Sequence, residues 1–145
     1  MPTLQEFVRL FASGDDRMRF DILLDLSERL PPLPTELQQA SARAQARVPE
    51  CQSPVYLWVR VDPEKRIRLY ADAPREAPTV RGFVALLVEA LDGHPAQEIW
   101  SAPIDLLHRL GLAQALGMQR ARGLEAIYRR LLAEVKRQLA ESDSA

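Results

Sequence analysis

Cys51 is the only thiol in this 145-residue chain, and it stands in the stretch Val48-Pro49-Glu50-Cys51-Gln52-Ser53-Pro54-Val55-Tyr56. A thiolate is a nucleophile toward acyl carbon, peroxide oxygen and the sulfane sulfur of a persulfide, so one well-presented cysteine is enough for group-transfer chemistry. Pro49 and Pro54 each fix their own φ at about −65° and bias the preceding residue toward extended backbone, which carries the thiol on a short loop of restricted geometry. A lone cysteine is by default a small, inert, buried hydrophobe. The neighbours of Cys51 argue otherwise, because Glu50, Gln52 and Ser53 are polar. The flanking amides and the Gln52 and Ser53 side chains are placed to hydrogen-bond a thiolate or a persulfide, whereas the Glu50 carboxylate opposes ionisation.

Other chemistries lack their residues. A zinc site needs several ligands at fixed spacing, and beside the one cysteine there are two histidines, His94 in a Gly-His-Pro turn and His108 in a helical segment. A serine triad would need a nucleophile elbow and a histidine with an acidic partner, and neither is signalled. The glycines are scattered at turns and helix ends, so no phosphate-cradling loop forms. Arg60, Lys65, Arg66 and Arg68 come nearest to a nucleic-acid stripe, but Asp62 and Glu64 interrupt them and the pattern is that of a solvated strand face. Trp58 and Trp100 read as residues of the core or its edge.

The elements that must position Cys51 follow from periodicity. Residues 3–11 form a short amphipathic helix that stops near Ser13-Gly14. A second helix opens at Asp15-Asp16, carries Met18, Ile22, Leu23, Leu26 and Leu30 at helical spacing, and ends at Pro31-Pro32. Residues 31–47 read as an irregular linker with a helical turn near Glu36. Val55 to Val61 and Arg66 to Tyr70 are β-branched and aromatic runs about the turn Asp62-Pro63-Glu64-Lys65, an antiparallel hairpin to which residues 46–48 could add a third strand. Cys51 then lies at the end of the sheet opposite the Asp62 turn. Val80, Phe83, Val84, Leu87, Ala90 and Leu91 mark a helix that covers one sheet face and ends at Asp92-Gly93. Short helical pieces follow over 95–100 and 104–110, and a last long helix from about Arg120 aligns Leu124, Ile127, Tyr128, Leu131, Val135 and Leu139. Helices, a hairpin and then helices make an α+β fold, one domain over residues 1–145.

With 47% hydrophobic and 27% charged residues and a formal net charge of −1, the composition is that of an ordinary soluble protein with no bulk attraction to nucleic acid or anionic membrane. The charge is uneven. Residues 1–42 carry four basic and seven acidic side chains, whereas 109–140 carry seven basic ones against Glu125 and Glu134. Such an asymmetry can orient a protein partner. No apolar run approaches the ~20 residues of a membrane span. One cysteine excludes an intrachain disulfide and no signal-peptide pattern opens the chain, so the expected location is cytoplasmic. A monomer and a homodimer are both compatible with the sequence.

Cys51-Gln52-Ser53-Pro54-Val55-Tyr56 resembles the Cys-Gln-Ser-x-Val-Trp signature of the SufE family, sulfur acceptors that partner cysteine desulfurases in iron–sulfur cluster biogenesis. The resemblance runs from the first helix to the last. It includes Val80-Arg81-Gly82-Phe83, Pro95-Ala96-Gln97-Glu98-Ile99, Leu110-Gly111-Leu112 and Arg120-Ala121-Arg122-Gly123-Leu124. It implies a small antiparallel sheet packed with helices, similar to the scaffold protein IscU. It also implies that Cys51 takes sulfur as a persulfide from a SufS-like desulfurase, stimulates that enzyme, and passes the sulfur to a SufBCD-like scaffold. Gln52 and Ser53 would support the thiol, and Arg120, matching the arginine of the family's Ser-Arg-Ser-x-Gly-Leu stretch, would be a cation near the site or on the docking surface. The carrier would need no cofactor and no free-standing catalysis, since pyridoxal phosphate belongs to the desulfurase. The chain departs from the family in three places. Glu50 replaces a usual glycine, Pro54 and Tyr56 replace a polar residue and a tryptophan, and the loop 72–77 is longer, so that Asp72 and Glu76 both compete for the place of the family's acidic residue. The alternative is an independent thiol enzyme of peroxidatic or acyl-transfer type. A buried resting thiol would protect a persulfide, so the expected setting of Cys51 is a mostly apolar pocket at the sheet end.

Overall fold

The computed structural model describes residues 2–144, one residue short of the expected domain limits at either end. Helix α1, Leu4–Ala12, starts where Thr3 and Glu6 satisfy each other's amides, Glu6 N–H donating to Thr3 Oγ1 at 3.2 Å and Thr3 N–H to Glu6 Oε1 at 3.3 Å. Helix α2, Asp16–Glu28, is capped by Asp15, whose carboxylate accepts from Met18 N–H at 3.0 Å. Leu23 and Leu26 of α2 are fully buried against helix α4, Pro78–Leu91. The two helices approach so closely that a Cβ on Gly82 would lie 2.1 Å from the Leu23 carbonyl oxygen, which leaves glycine as the residue that fits. Next to it, the buried Arg81 donates to the carbonyls of Ser27 and Ala73. One guanidinium thereby fastens α2, α4 and the loop that leaves the sheet.

Strands β1, Tyr56–Val61, and β2, Ile67–Asp72, form the antiparallel hairpin, with Leu57 opposite Ala71, Val59 opposite Leu69 and Val61 opposite Ile67 on the core face. The period of two sends Tyr56, Trp58 and Tyr70 to the other face, where the Tyr56 and Trp58 rings stack at 6.2 Å. Both outer edges of this two-stranded sheet are closed. Gln138 of helix α7, Met118–Ser144, donates to Val59 O at 2.7 Å and accepts from Val61 N–H at 2.6 Å, imitating a third strand. On the β2 side His94 O accepts from Ile67 N–H and Ile67 O accepts from Gly93 N–H. Unpaired strand edges invite aggregation, and these contacts remove them.

The structure corrects three expectations. Residues 40–46, expected to be irregular, form helix α3, Ala40–Ala46; alanine, glutamine and arginine favour helix, but Gln39 provides no side-chain cap to announce it. The third strand over 46–48 is reduced to the isolated bridge Arg47–Tyr56, because α3 runs to Ala46 and Pro49 has no N–H to continue a ladder. Trp100 is 55% exposed, since the 3₁₀ turn Ala96–Ser101 buries Ala96 and Ile99 and points Trp100 outward, under the Lys136 ammonium at 5.3 Å. Trp58 is half-buried, at the edge of the core as expected.

Short helices α5, Leu106–Arg109, and α6, Leu112–Ala115, meet at Gly111, whose φ of 73° makes the turn between them. Gly117, with φ of 81°, turns the chain into α7. Helix α7 therefore begins at Met118, before the expected Arg120, and Tyr128 Oη ties it to Pro103 O at 2.6 Å. The buried residues form one core shared by all the main elements, with α4 packed on β2 and α7 on β1. Among the described residues no helix is long and apolar enough to cross a membrane.

Candidate functional site

The Cys51 loop is closed at its base by Val48 N–H donating to Val55 O at 2.9 Å. Within it, Cys51 N–H donates to Val48 O at 3.3 Å and Val55 N–H to Ser53 O at 2.8 Å, so a few short backbone bonds and two prolines hold the turn. The thiol lies, as expected, at the end of the hairpin opposite the Asp62 turn. Cys51 is 5% exposed and belongs to the same core cluster as Val48 and Val55.

Three segments meet over the thiol and enclose a cleft of about 530 Å³: residues 50–53 of the loop, residues 76–80 entering α4, and residues 119–124 in the first turns of α7. The long α7 passes its glycine over the sulfur, where an ideal Cβ on Gly123 would stand 3.6 Å from Cys51 Sγ. Burial holds as expected, but the apolar lining does not. Glu50, Glu76, Arg120 and Arg122 all contribute to the wall, because the first turn of α7 and the loop before α4 bring charged side chains to this end of the sheet.

Burial pushes the Cys51 thiol above its ordinary pKa. The Ser53 backbone amide and the charge of Arg47 pull it back, and Glu50 adds to the upward push. The resting group is thus a protonated, covered thiol, poorly suited to nucleophilic turnover on its own.

Gln52 is exposed and Ser53 half-buried on the wall of the cleft. Their side chains make no hydrogen bond among the described residues, and the support from Ser53 comes through its backbone. Arg120 faces the same cleft, exposed and without an ion pair among the described residues. Sequence reasoning left Asp72 and Glu76 undecided, and the structure separates them. Asp72 is occupied, binding Arg43 at 3.0 Å and Arg81 at 3.5 Å, while Glu76 lines the cleft. Arg122, Gly123 and Thr79 also line it and were not singled out. Arg122 and Gly123 stood in a stretch already noted, and only the helical phase of α7 could have aimed them at Cys51.

His94 meets Glu98 at 3.3 Å, and neither lines the thiol cleft. Among the described residues no three histidine, cysteine, aspartate or glutamate side chains gather as a metal site. A larger groove of about 940 Å³ runs along the outer face of the hairpin past Trp58, Tyr70 and Arg137. It holds no cysteine, and its Glu134 is engaged by Arg137 and Gln138.

Comparison with known proteins agrees with this geometry. An uncharacterised SufE-like protein of Mycobacterium tuberculosis is 42% identical over 142 residues, covering 97% of this chain and 93% of that protein. The sulfur acceptor protein CsdE of Escherichia coli is 33% identical over 116 residues, 79% of this chain and 74% of CsdE. The solution structure of a hypothetical protein from Thermus thermophilus superposes with a TM-score of 0.78 at 34% identity, covering 94% of this chain and 96% of that one. The sequence profile of the SufE family, the Fe-S metabolism associated domain, matches residues 5–135, from the first helix through the Cys51 loop to the body of α7. A covered single thiol in this fold, together with relatives spanning nearly the whole chain, makes the protein a member of the SufE family.

Proposed function

We propose that the protein is a persulfide carrier in iron–sulfur metabolism, with Cys51 as the acceptor, and the observation that carries this is a lone thiol held in reserve beneath α7. The Cys51 thiolate attacks the outer sulfur of a cysteine desulfurase persulfide. The new S–S bond forms on Cys51, the donor cysteine leaves as thiolate, and the proton stays on the transferred sulfur. The reverse role follows at delivery, where a thiolate of a SufBCD-like scaffold attacks the carried sulfur and Cys51 leaves. The donor's pyridoxal phosphate liberates the sulfur from cysteine; the carrier contributes positioning and protection. Drawing sulfur off the donor persulfide also frees that enzyme for its next turnover, which is how a carrier stimulates it.

Charge around the loop supports a protein partner. Arg47, Arg120, Arg122 and Arg130 are exposed and make no ion pair among the described residues, a surface suited to an acidic partner face. The reading as an independent thiol enzyme is weaker, since such enzymes depress the pKa of their cysteine and burial here raises it.

The test incubates the protein with a cysteine desulfurase and free cysteine and weighs the intact chain. A gain of one sulfur on wild type that Cys51→Ala lacks is the expected result. No gain with any cognate desulfurase would sink the carrier. In the free protein a bulky thiol reagent should label Cys51 slowly, and rapid labelling would contradict a sequestered resting state.

A further inference from the structure

Gly123 sits in the interior of α7, where glycine costs helix stability of about 1 kcal/mol relative to alanine. Its φ is not in the left-handed region, so the backbone does not require glycine there. Nor does close packing require it. At Gly82 an added Cβ would strike backbone at 2.1 Å, but at Gly123 the nearest atoms to an ideal Cβ are Cys51 Sγ at 3.6 Å and Cys51 Cα at 3.9 Å, ordinary contact distances. Apart from its chain neighbours and the helix's own backbone, nothing else lies within 4 Å of that point. A methyl-sized space therefore borders the sulfur, and the free-thiol protein has no use for it.

Resting on the carrier reading above, we propose that this space is the seat of the carried sulfur: the missing side chain of Gly123 leaves room for the outer atom of a Cys51 persulfide beneath α7. The dimensions fit. A second sulfur bonds at about 2.05 Å. Along the line from Sγ toward the Gly123 Cβ point it would come within about 1.6 Å of that point, so a real methyl group and the sulfur exclude each other. Gly123 then acts as a selectivity element for the loaded state. Residue 123 as alanine still accommodates the free thiol, but it pushes the persulfide out of its shelter, into the charged part of the cleft where reductant and solvent reach it. That part of the wall carries Glu50 and Glu76 together with Arg120 and Arg122, a polar setting open to water in place of the cover of α7.

The experiment compares wild type with Gly123→Ala. Each is loaded by a cysteine desulfurase and free cysteine and separated from both. Each is then exposed to a fixed concentration of a small thiol reductant while intact mass follows loss of the added sulfur. The expected result is an added sulfur lost about tenfold faster from Gly123→Ala, in a protein that melts no lower than wild type. A variant that melts no lower and accumulates no added sulfur under loading that charges wild type is the same result in its extreme form. Equal lifetimes would overturn the proposal, and so would a lowered melting temperature, which would mean that the free-thiol state lacks the room. Failure of wild type itself to gain sulfur would strike the carrier reading first, and that outcome is separable because it does not involve the variant.

Discussion

The two ends of the hairpin are built to different rules. At the turn end, Asp62 accepts hydrogen bonds from the amides of Glu64 and Arg66 and from Arg68 Nε, each at 2.9 Å, and Gln138 clamps the edge of β1 nearby. Arg137, on that side of α7, is likewise engaged, bridging Glu134 and Glu141. At the Cys51 end, the ladder closes with Tyr56 opposite Asp72, a single bridge joins Arg47 to Tyr56, the loop rests on a few backbone bonds, and Arg47, Arg120, Arg122 and Arg130 have no ion pair among the described residues. One end ties its Asp62 carboxylate and Arg137 into internal bonds. The other leaves those four guanidinium groups without an ion pair, which suits the partner-facing surface proposed above. Helix α7 spans both, which explains how a single long element can be a structural strut in its second half and a cover over the thiol in its first.

The contrast is open to attack by mutation. Reversing charge at the reactive end, with Arg120→Glu and Arg122→Glu together, should slow sulfur transfer from an acidic-faced donor by about a hundredfold at low salt. The melting temperature should stay where it was, because no ion pair is lost. A rate unchanged by the reversal, or by added salt in the wild type, would remove the electrostatic half of the contrast. At the other end the order inverts. Gln138→Ala leaves Val59 O and Val61 N–H without their partner and should cost about 2 kcal/mol in urea unfolding. Sulfur loading should be unaffected when measured below the unfolding transition. A loading defect in Gln138→Ala as large as its loss of stability would show that the two ends are not separable.

Much of this arrangement was legible in the residues. The hairpin, the α4 stripe and the α7 stripe follow from periods of 2 and 3.6, and the place of Cys51 at the far end of the sheet follows from its distance to the Asp62 turn. The signature around Cys51 identified the family. What stayed hidden was three-dimensional. Helix α3 has no capping residue to mark its start. Trp100 reads by its residue type as part of the core or its edge, yet the phase of its 3₁₀ turn puts it outside. Gly82 and Gly123 are indistinguishable as helical glycines, but one is squeezed against the Leu23 carbonyl and the other borders the sulfur. Asp72 closes β2 and Glu76 lies on the loop that follows, and only the reach of Arg43 and Arg81 decides which of them remains at the cleft.

Glu50 gives the finest test of how the reactive end is tuned. Burial is the main reason the Cys51 thiol lies above its ordinary pKa, so no single charge change should make it a fully ionised thiolate at neutral pH. Glu50 adds to that upward push and Arg47 opposes it. Removing the carboxylate in Glu50→Gln therefore lowers the thiol pKa, and labelling by a small reagent such as iodoacetamide at neutral pH should rise by roughly two- to threefold. Arg47→Gln should lower the rate by a similar factor. The sign is fixed by ionisation: the rate follows the thiolate fraction, so all three pH profiles climb through the alkaline range, with Glu50→Gln displaced to lower pH and Arg47→Gln to higher. Above the thiol pKa the fraction is complete in each protein and the profiles must converge. A Glu50→Gln profile raised by the same factor at every pH would instead mean that the carboxylate shields the loop from the reagent. It would then act by obstructing access, leaving the protonation of the thiol to burial and Arg47.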